Sequence, residues 1–341
     1  MKNEYTVYKM DFKDFNAGPD DQGRRLDRVL RIFLSDKALP EIYKLLRKGL
    51  IKLNQKKAKP DSRVCEGDLI SIAAFLLESS EKTDAKESKE KSDISKLSAS
   101  PLKIIFENDH LLIIDKPYDR SVHGKEDGLY KDVLAYLEKK ASKSSSLAFR
   151  PGPLHRLDRR TTGLLVFSKS MEGARWFSEG IKNHTISKRY YGLAQGKLSG
   201  PETWEDKLTS APADSQTDGF YTVEESDQGQ TAITIASPLA YGSLKGKPVT
   251  LVEYAIKTGR KHQIRAQSAL HQHPLAGDTA YGAESLKGSG LKNPQREFFL
   301  QAFCLAFPKD NPLSLPQEIK IGLSPDFIRL LEYCEIENPG L

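Results

Sequence analysis

One carboxylate stands among cationic side chains near the middle of the chain. Residues 153–163 read PLHRLDRRTTG, and Asp158 is flanked there by Arg156, Arg159 and Arg160. Because nearby positive charge favours the ionised form of a carboxyl group, Asp158 is expected to stay charged, as a nucleophile requires. The same spacing also fits a structural ion pair at a turn, and the residue types alone do not decide between these interpretations.

Other kinds of site leave weaker patterns. His262, His271 and His273 are accompanied neither by an H-E-x-x-H pattern nor by a nearby cysteine, so a zinc site is not predicted. No G-x-S-x-G segment marks a serine nucleophile, and no Walker or Rossmann glycine pattern marks a nucleotide site. We therefore expect no metal and no cofactor.

The elements that position this cluster are predicted to form a sheet domain of the α+β class. Apolar side chains alternate or recur at helical spacing along most of the carboxyl-terminal two thirds. Helices are expected at 171–184 and 262–272. Strands are expected at 163–169, 188–196, 230–241, 249–258 and 298–307, with a hairpin at 103–117.

The amino-terminal part is basic. The chain has a formal net charge of +6, yet residues 24–72 hold thirteen Lys or Arg against six Asp or Glu. Residues 24–48 place apolar side chains at helical spacing, with a restart after Pro40, and a short strand-rich tail follows. Two amphipathic helices with a concentrated positive charge favour a polyanionic partner, although a solvated basic face fits equally well.

The composition predicts two domains and a linker. Residues 78–100 are rich in Glu, Lys and Ser with almost nothing to bury, which is typical of a flexible segment. We expect one domain with an amino-terminal extension over 1–77, a linker over 78–100 and a second, larger domain over 101–341. No apolar run approaches the length of a membrane span and no signal peptide is visible, so a cytoplasmic monomer is expected.

The segment around Asp158 resembles a known enzyme family. HRLDRRTTGLLVFSK matches the H-R-L-D-x-x-T-S/T-G-L-L signature of RluA-type pseudouridine synthases. The resemblance implies a mixed, largely antiparallel pseudouridine-synthase sheet, and it makes Asp158 the catalytic carboxylate. It also implies that Arg156 helps to take the target nucleotide out of its stack. Whether the carboxylate adds to uracil C6 or attacks ribose C1′ stays open.

Two further segments resemble the family in order and spacing. SKRYYG is similar to the K-x-Y strand and makes Tyr190 the active-site tyrosine, with Tyr191 on the opposite face. TGRKHQIR, followed by HPLAGDTAYG, resembles T-G-R-x-H-Q-I-R and H-P-I-x-G-D-x-x-Y-G. This similarity implies that Arg265 pairs with Asp158 as a bidentate fork. It also implies that three neighbours support the same wall or touch RNA phosphate, namely Arg260, His262 and Gln263.

The chain departs from the family pattern at a few positions. Tyr118 and Asp119 replace the small residue and glycine that usually follow the opening hairpin, which ends at Lys116-Pro117. Gln267 and Gln301 stand where the family commonly has histidine. None of these positions is the nucleophile or its partner, so activity is expected to survive the changes.

The basic amino-terminal segment resembles the S4 RNA-binding domain, a small α-L fold, over about fifty residues. Its order is R-L-D-x-x-L, then K-G-L-I-K-L-N, then V-x-x-G-D-L-I. The resemblance implies that basic side chains of two helices face RNA phosphates, with candidates Arg24, Arg25, Arg28, Arg31, Lys44, Arg47 and Lys48. An S4 module joined to an RluA-type domain is similar to the RluC- and RluD-like branch, which implies 23S-type ribosomal RNA or its precursor particle as partner.

Two other classes of function remain possible from the sequence. A ribosome-assembly protein would bind RNA through an enzyme-like fold without catalysis. A hydrolase would use Asp158 on another glycosidic bond, but glycosidases usually need a second carboxylate and residues 153–163 contain none.

Overall fold

The chain consists of two compact units. The computed structural model describes residues 10–77, 102–124, 128–140, 146–210, 222–286 and 297–337. Contacts within the chain define a first unit of Met1–Pro101 with Ala135–Pro151, and a second unit of Leu102–Leu134 with Gly152–Leu341. The predicted linker, 78–100, lies outside the described residues. None of the described helices is long and apolar enough to cross a membrane.

The first unit contains the two predicted helices and a small antiparallel sheet. Apolar residues recurring at helical spacing bury one face of each helix in a common core, and α2 ends where Gly49 adopts a left-handed φ of 73°. The helices are α1 (Leu26–Phe33) and α2 (Leu39–Lys48). The sheet, ordered β1-β4-β2-β3, is formed by β1 (Phe12–Asn16), β2 (Ile51–Leu53), β3 (Lys56–Lys57) and β4 (Leu69–Ala73).

A segment from outside the amino-terminal hundred residues completes this unit, which corrects the predicted domain boundary. The buried carboxylate of Asp21 accepts hydrogen bonds from Ser146 Oγ at 2.7 Å, from the Leu147 backbone N–H at 2.8 Å and from the Ala148 N–H at 3.2 Å. Ala148 also joins the apolar core of the first unit. Sequence reasoning assigned this segment to the catalytic domain, because local patterns carry no signal of such a distant contact.

The second unit is built on a ten-stranded sheet. Nine strands follow the order β10-β9-β11-β12-β8-β13-β7-β6-β5, and β14 pairs with β13. Among the described strands, β7 and β13 pair in parallel and the other neighbours are antiparallel, as expected. The strands are β5 (Ile104–Glu107), β6 (Leu111–Lys116), β7 (Thr162–Ser168), β8 (Ser187–Gln195), β9 (Glu202–Ser210), β10 (Val223–Glu225), β11 (Gln230–Leu244), β12 (Lys247–Ile256), β13 (Leu300–Ala306) and β14 (Glu318–Lys320).

Helices cover this sheet and bury its apolar side chains. Phe177 of one helix packs with residues of β6 and β7, and Phe327 of another packs with residues of β8, β12 and β13. A third helix contacts β9, β10 and β11. These helices are α4 (Met171–Lys182), α5 (Gln263–Leu270) and α6 (Pro325–Tyr333). The remaining helix, α3 (Leu129–Lys140), begins in the second unit, and its residues from Ala135 onward belong to the first.

The predicted helices and strands are all present, but some elements were missed. β9 reads ETWEDKLTS, and only Trp204 and Leu208 point into the core, too few for an apolar alternation. In α3 only Leu129 and Val133 are buried. Such mostly exposed elements are held by their neighbours and not by their own pattern.

Candidate active site

A buried lysine holds the backbone of the loop that carries Asp158. Lys116, at the end of β6, donates from Nζ to the carbonyl oxygens of Thr161 at 2.7 Å, Arg159 at 2.8 Å and Pro117 at 3.0 Å. Burial lowers the pKa of Lys116 to about 7, but three acceptors need three N–H donors and therefore favour the ammonium form. Sequence reasoning saw Lys116 only as the end of a hairpin.

A glycine lets this loop lie against the central strands. Gly163 has a left-handed φ of 106°, and a Cβ there would lie 2.1 Å from the Ala302 carbonyl oxygen. Ala302 is opposite Gly163 on one side and opposite Tyr190 on the other. The close approach of β7 to β13 therefore brings the loop to the part of the sheet that carries the tyrosine.

Tyr190 lines the same cavity as Asp158, on the face of β8 expected from its sequence. Its neighbour Tyr191 points to the opposite face, where its ring stacks on Phe303 with centroids 3.5 Å apart. Burial raises the pKa of the Tyr190 hydroxyl, and the nearby charge of Asp158 raises it further. The phenol is therefore protonated at neutral pH.

Arg265 approaches Asp158, but its fork grips another carboxylate. Its Nε and Nη2 donate to the two oxygens of Asp278 at 2.6 and 2.7 Å, while Nη1 lies 3.8 Å from Asp158 Oδ2. The guanidinium also lies over the rings of Phe298 and Tyr281, with centroids at 4.5 and 4.9 Å. This corrects the expected bidentate pair with Asp158: Asp278 fixes the arginine, and one remaining nitrogen faces the candidate nucleophile.

His262 is the second group that faces Asp158. Its Nε2 lies 3.7 Å from Asp158 Oδ1, and burial lowers its pKa to about 4, so the ring is neutral at pH 7. Its Nδ1 lies 3.0 Å from the hydroxyl of Tyr281, which also accepts the Val223 N–H at 3.0 Å. If the hydroxyl donates to Nδ1, then Nε2 carries the proton and points a donor at the carboxylate, which is the favourable tautomer.

The three arginines beside Asp158 in sequence have different surroundings. Arg159 donates to Asp119 at 2.9 Å, and Arg160 is paired with Glu297. Arg156 is exposed and lines the cavity. Two of the three flanking arginines therefore hold carboxylates other than Asp158, and their effect on the charge of Asp158 stays a prediction.

These groups share one cavity of about 490 Å³. Its lining combines exposed cations with buried groups, and no three His, Cys, Asp or Glu side chains of the described residues are grouped to hold a metal. Its chemistry comes from Arg156, Asp158, Lys188, Tyr190, His262 and Arg265. A carboxylate faced by a guanidinium and a neutral histidine, beside an aromatic ring, can attack an electrophilic carbon of a planar base.

Comparison with known proteins identifies the family. The model of RNA pseudouridylate synthases matches residues 110–270, and the model of the S4 domain matches residues 24–70. Over 295 residues the chain is 30% identical to "Ribosomal large subunit pseudouridine synthase C" of Salmonella typhi, covering 84% of this chain and 86% of that protein. The chain is an RNA pseudouridylate synthase.

Other relatives agree with this family assignment. The protein of the same name from Haemophilus influenzae is 28% identical over 312 residues, which cover 90% of each chain. The solved structure named "Human RNA Pseudouridylate Synthase Domain Containing 4" aligns with a TM-score of 0.55 and 25% identity, covering 70% of this chain and 94% of that one. The S4 domain and the α+β fold predicted from the sequence are thereby confirmed.

Among the three residues expected to support the wall beside Arg265 or to touch RNA, Gln263 lines the cavity and is held entirely by the protein. Its Oε1 accepts from Thr258 Oγ1 at 2.7 Å and from the Arg260 N–H at 3.0 Å, and its Nε2 donates to the Ile233 carbonyl and to Thr234 Oγ1. A buried amide with all its bonds inside the protein fixes the loop before α5 and has none left for RNA. Arg260 is exposed near the cavity, as an RNA contact requires.

The departures from the family pattern after the opening hairpin are accommodated locally. Asp119 has a φ of 57°, the left-handed conformation that a glycine adopts easily, and its carboxylate holds Arg159. The Tyr118 hydroxyl accepts the N–H of Glu297 at 3.0 Å. The replacements therefore tie the loop to its neighbours.

The two glutamines that replace histidine are buried and structural. Gln267 accepts from Thr234 Oγ1 at 2.6 Å and donates to Asp206 Oδ2 at 2.6 Å, which links α5 to β9 and β11. Gln301 donates to the Gly322 carbonyl at 2.7 Å and accepts the Ser324 N–H at 2.9 Å. Neither glutamine belongs to the residues that line the cavity.

Most of the predicted cations of the S4 domain lie on its surface. Arg25 is partly exposed but forms an ion pair with the buried Asp27 at 2.7 Å, and that carboxylate also accepts from the hydroxyl of Tyr43. Arg24 is half-buried. The exposed candidates on the two helices are Arg28, Arg31, Lys44, Arg47 and Lys48.

Proposed function

We propose that this synthase isomerises uridines of large-subunit ribosomal RNA, with Asp158 as its nucleophile. The names of its relatives support the substrate. The nucleophile is supported by one observation above others: Asp158 lies in a cavity with Tyr190, 3.8 Å from Arg265 and 3.7 Å from His262. A guanidinium nitrogen and an imidazole nitrogen at these distances can orient the carboxylate oxygens for attack.

The reaction breaks the bond between uracil N1 and ribose C1′, turns the base, and joins C5 to C1′, with no net redox change. Asp158 would form a bond either to C6 or to C1′. Arg265 and His262 would orient the carboxylate. Tyr190 would stack on the extruded base, and since its hydroxyl is protonated at neutral pH, it would act as a ring and a hydrogen-bond donor and not as a resident base.

RNA would be held by two sets of cations. Arg156, exposed at the cavity, would fill the space that the extruded nucleotide leaves in its helix. The exposed cations of α1 and α2 would contact phosphates, which carry no sequence information but provide affinity.

The decisive experiment maps pseudouridines in ribosomal RNA from cells that lack this protein. Wild-type protein supplied in trans should restore specific pseudouridines, and Asp158→Asn should not. Restoration of every phenotype by Asp158→Asn without pseudouridine would favour an RNA-binding or assembly role. Release of free uracil by the purified enzyme would favour a hydrolase.

A further inference from the structure

Among the described residues of the second unit, two lysines are buried, and their surroundings differ. Lys116 gives all three of its donors to carbonyl oxygens. Lys188, in β8, is 7% exposed and lines the cavity. Within the part of the chain that the structure describes, its Nζ has neither a hydrogen-bond acceptor nor a carboxylate as partner. The Nζ itself keeps some exposure, so a largely desolvated ammonium without a protein partner can meet an acceptor that enters the cavity.

The position of Lys188 is that of a group facing a bound base. Lys188 and Tyr190 are two residues apart on one strand, so their side chains leave the same face of the sheet. A Cβ at Gly259, another residue of the cavity wall, would lie 3.4 Å from Lys188 Nζ. The nearby His155 is neutral at pH 7, since burial lowers its pKa to about 3, and its Nε2 accepts the Val166 N–H at 3.1 Å, so its Nδ1 carries the proton and cannot accept from Lys188.

Both possible routes move negative charge from Asp158 onto the base. If a carboxylate oxygen bonds to C6, the C5=C6 electron pair moves to C5–C4 and the C4=O4 pair moves onto O4, which leaves an enolate. If the oxygen bonds to C1′, the C1′–N1 pair leaves with uracil and is shared by N1, O2 and O4. In each case Arg265 and His262 stay beside Asp158, which loses its negative charge. A second cation is then needed beside the oxygen of the base that receives this charge.

We propose that Lys188 is a further catalytic residue of this synthase, whose ammonium stabilises the negative charge that develops on uracil O4. The inference rests on the proposed function. A preorganised donor aimed at developing charge in a water-poor site lowers the barrier without tightening the ground state.

A phosphate is the other anion that this lysine has the charge to hold. Cations suited to phosphate, Arg156 and Arg260, are exposed in the lining of the cavity, whereas Lys188 is buried beside the tyrosine. To reach Lys188, a backbone phosphate would have to occupy the part of the cavity beside Tyr190 that the proposal assigns to the base. The burial of Lys188 therefore favours the base.

The test separates the rate of chemistry from RNA affinity. Large-subunit ribosomal RNA from cells lacking the protein is mixed with excess enzyme; pseudouridine formation gives the single-turnover rate, and filter binding gives Kd. Lys188→Met should lower the rate by about 100-fold or more, with Kd within about twofold of wild type. Lys309→Met removes the same charge from an exposed position and should change neither quantity.

Three results would overturn the proposal. A Lys188→Met rate within about threefold of wild type would show that the charge is dispensable. An increased Kd with an unchanged rate at saturating RNA would identify a ground-state phosphate contact instead. If wild-type enzyme forms no pseudouridine, the proposed function fails and the role of Lys188 fails with it. Should Lys188→Met lose its thermal unfolding transition, Lys188→Gln replaces it under the same criteria.

Discussion

The two units use positive charge in different ways. In the S4 domain, cations such as Arg31, Lys44 and Arg47 are exposed along two helices whose apolar faces hold the core. In the catalytic unit, Arg265 and Lys116 are buried, and each is fixed by named acceptors. Exposed charges contribute to affinity in small, replaceable amounts, whereas a buried charge with a fixed partner cannot be removed without a large penalty.

Breaking the fork between Arg265 and Asp278 is expected to have the largest effect on stability. Arg265→Met leaves a buried carboxylate unpaired, which should lower the free energy of unfolding by about 3–5 kcal/mol. Both tryptophans of the chain, Trp176 and Trp204, belong to the catalytic unit, so their fluorescence in urea reports on its unfolding. Arg175→Met, at an exposed position of α4, should change it by less than about 0.5 kcal/mol. Equal effects of the two variants would contradict the comparison.

A methyl group at Gly163 tests the close approach of β7 to β13. Gly163→Ala adds steric overlap with the Ala302 carbonyl to a left-handed φ, so we expect a loss of about 3 kcal/mol and a sharp fall in activity. Gly246→Ala has a φ of 75° but no atom within 4 Å of its Cβ, and strain alone should cost about 1 kcal/mol. Urea unfolding of both variants measures the difference, and similar losses would show that the overlap relaxes freely.

The neutral His262 predicts a specific dependence of stability on pH. Its folded pKa of about 4 lies below the ordinary value of 6.5, so below pH 6.5 the unfolded chain binds a proton that the folded chain refuses. Stability from this group is thus complete above pH 6.5 and lost as the pH falls toward 4. His262→Gln should remove about 2 kcal/mol of the loss between pH 7 and pH 5. Parallel curves of unfolding free energy against pH for the two proteins would refute this.

The smallest effects are expected on the S4 surface. Replacing Arg31, Lys44 and Arg47 by Ala should reduce the magnitude of the slope of log K for RNA binding against log salt by about 2. Binding then neutralises fewer phosphates and releases fewer counterions. The rate at saturating RNA should stay unchanged. A charge-matched variant that replaces Lys182, Lys309 and Lys320, all exposed on the catalytic unit, should leave the slope near that of wild type. If both variants have the same salt slope, the cations of the S4 helices do not contribute to RNA binding.

Much of the fold could be read from local patterns. Helices α1 and α2 follow apolar spacing, the fully buried β7 follows a continuous apolar run, and the alternation in β8 correctly put Tyr190 and Tyr191 on opposite faces. Elements such as β9 escaped because most of their side chains are exposed. The local pattern carries most information where one face of an element is buried.

The candidate site could be located from the sequence, but its pairings could not. Asp158, Tyr190 and Arg265 stand in recognisable motifs, and Asp278 stood in the quoted HPLAGDTAYG segment without being given a role. The guanidinium of an arginine can pair with any of several carboxylates, and only the folded structure shows which one it contacts. Lys188 shows the same limit, since a lysine in a strand has no visible partner until its surroundings are known.

The most direct measurement of the central claim compares wild type with Asp158→Asn in one experiment, using purified enzyme in excess over large-subunit ribosomal RNA. We expect the single-turnover rate of pseudouridine formation to fall by at least about 10⁴-fold while Kd stays within about twofold, because the amide keeps the shape but loses the nucleophilic oxygen. An Asp158→Asn enzyme that still forms pseudouridine at a rate near that of wild type would show that another group performs the attack.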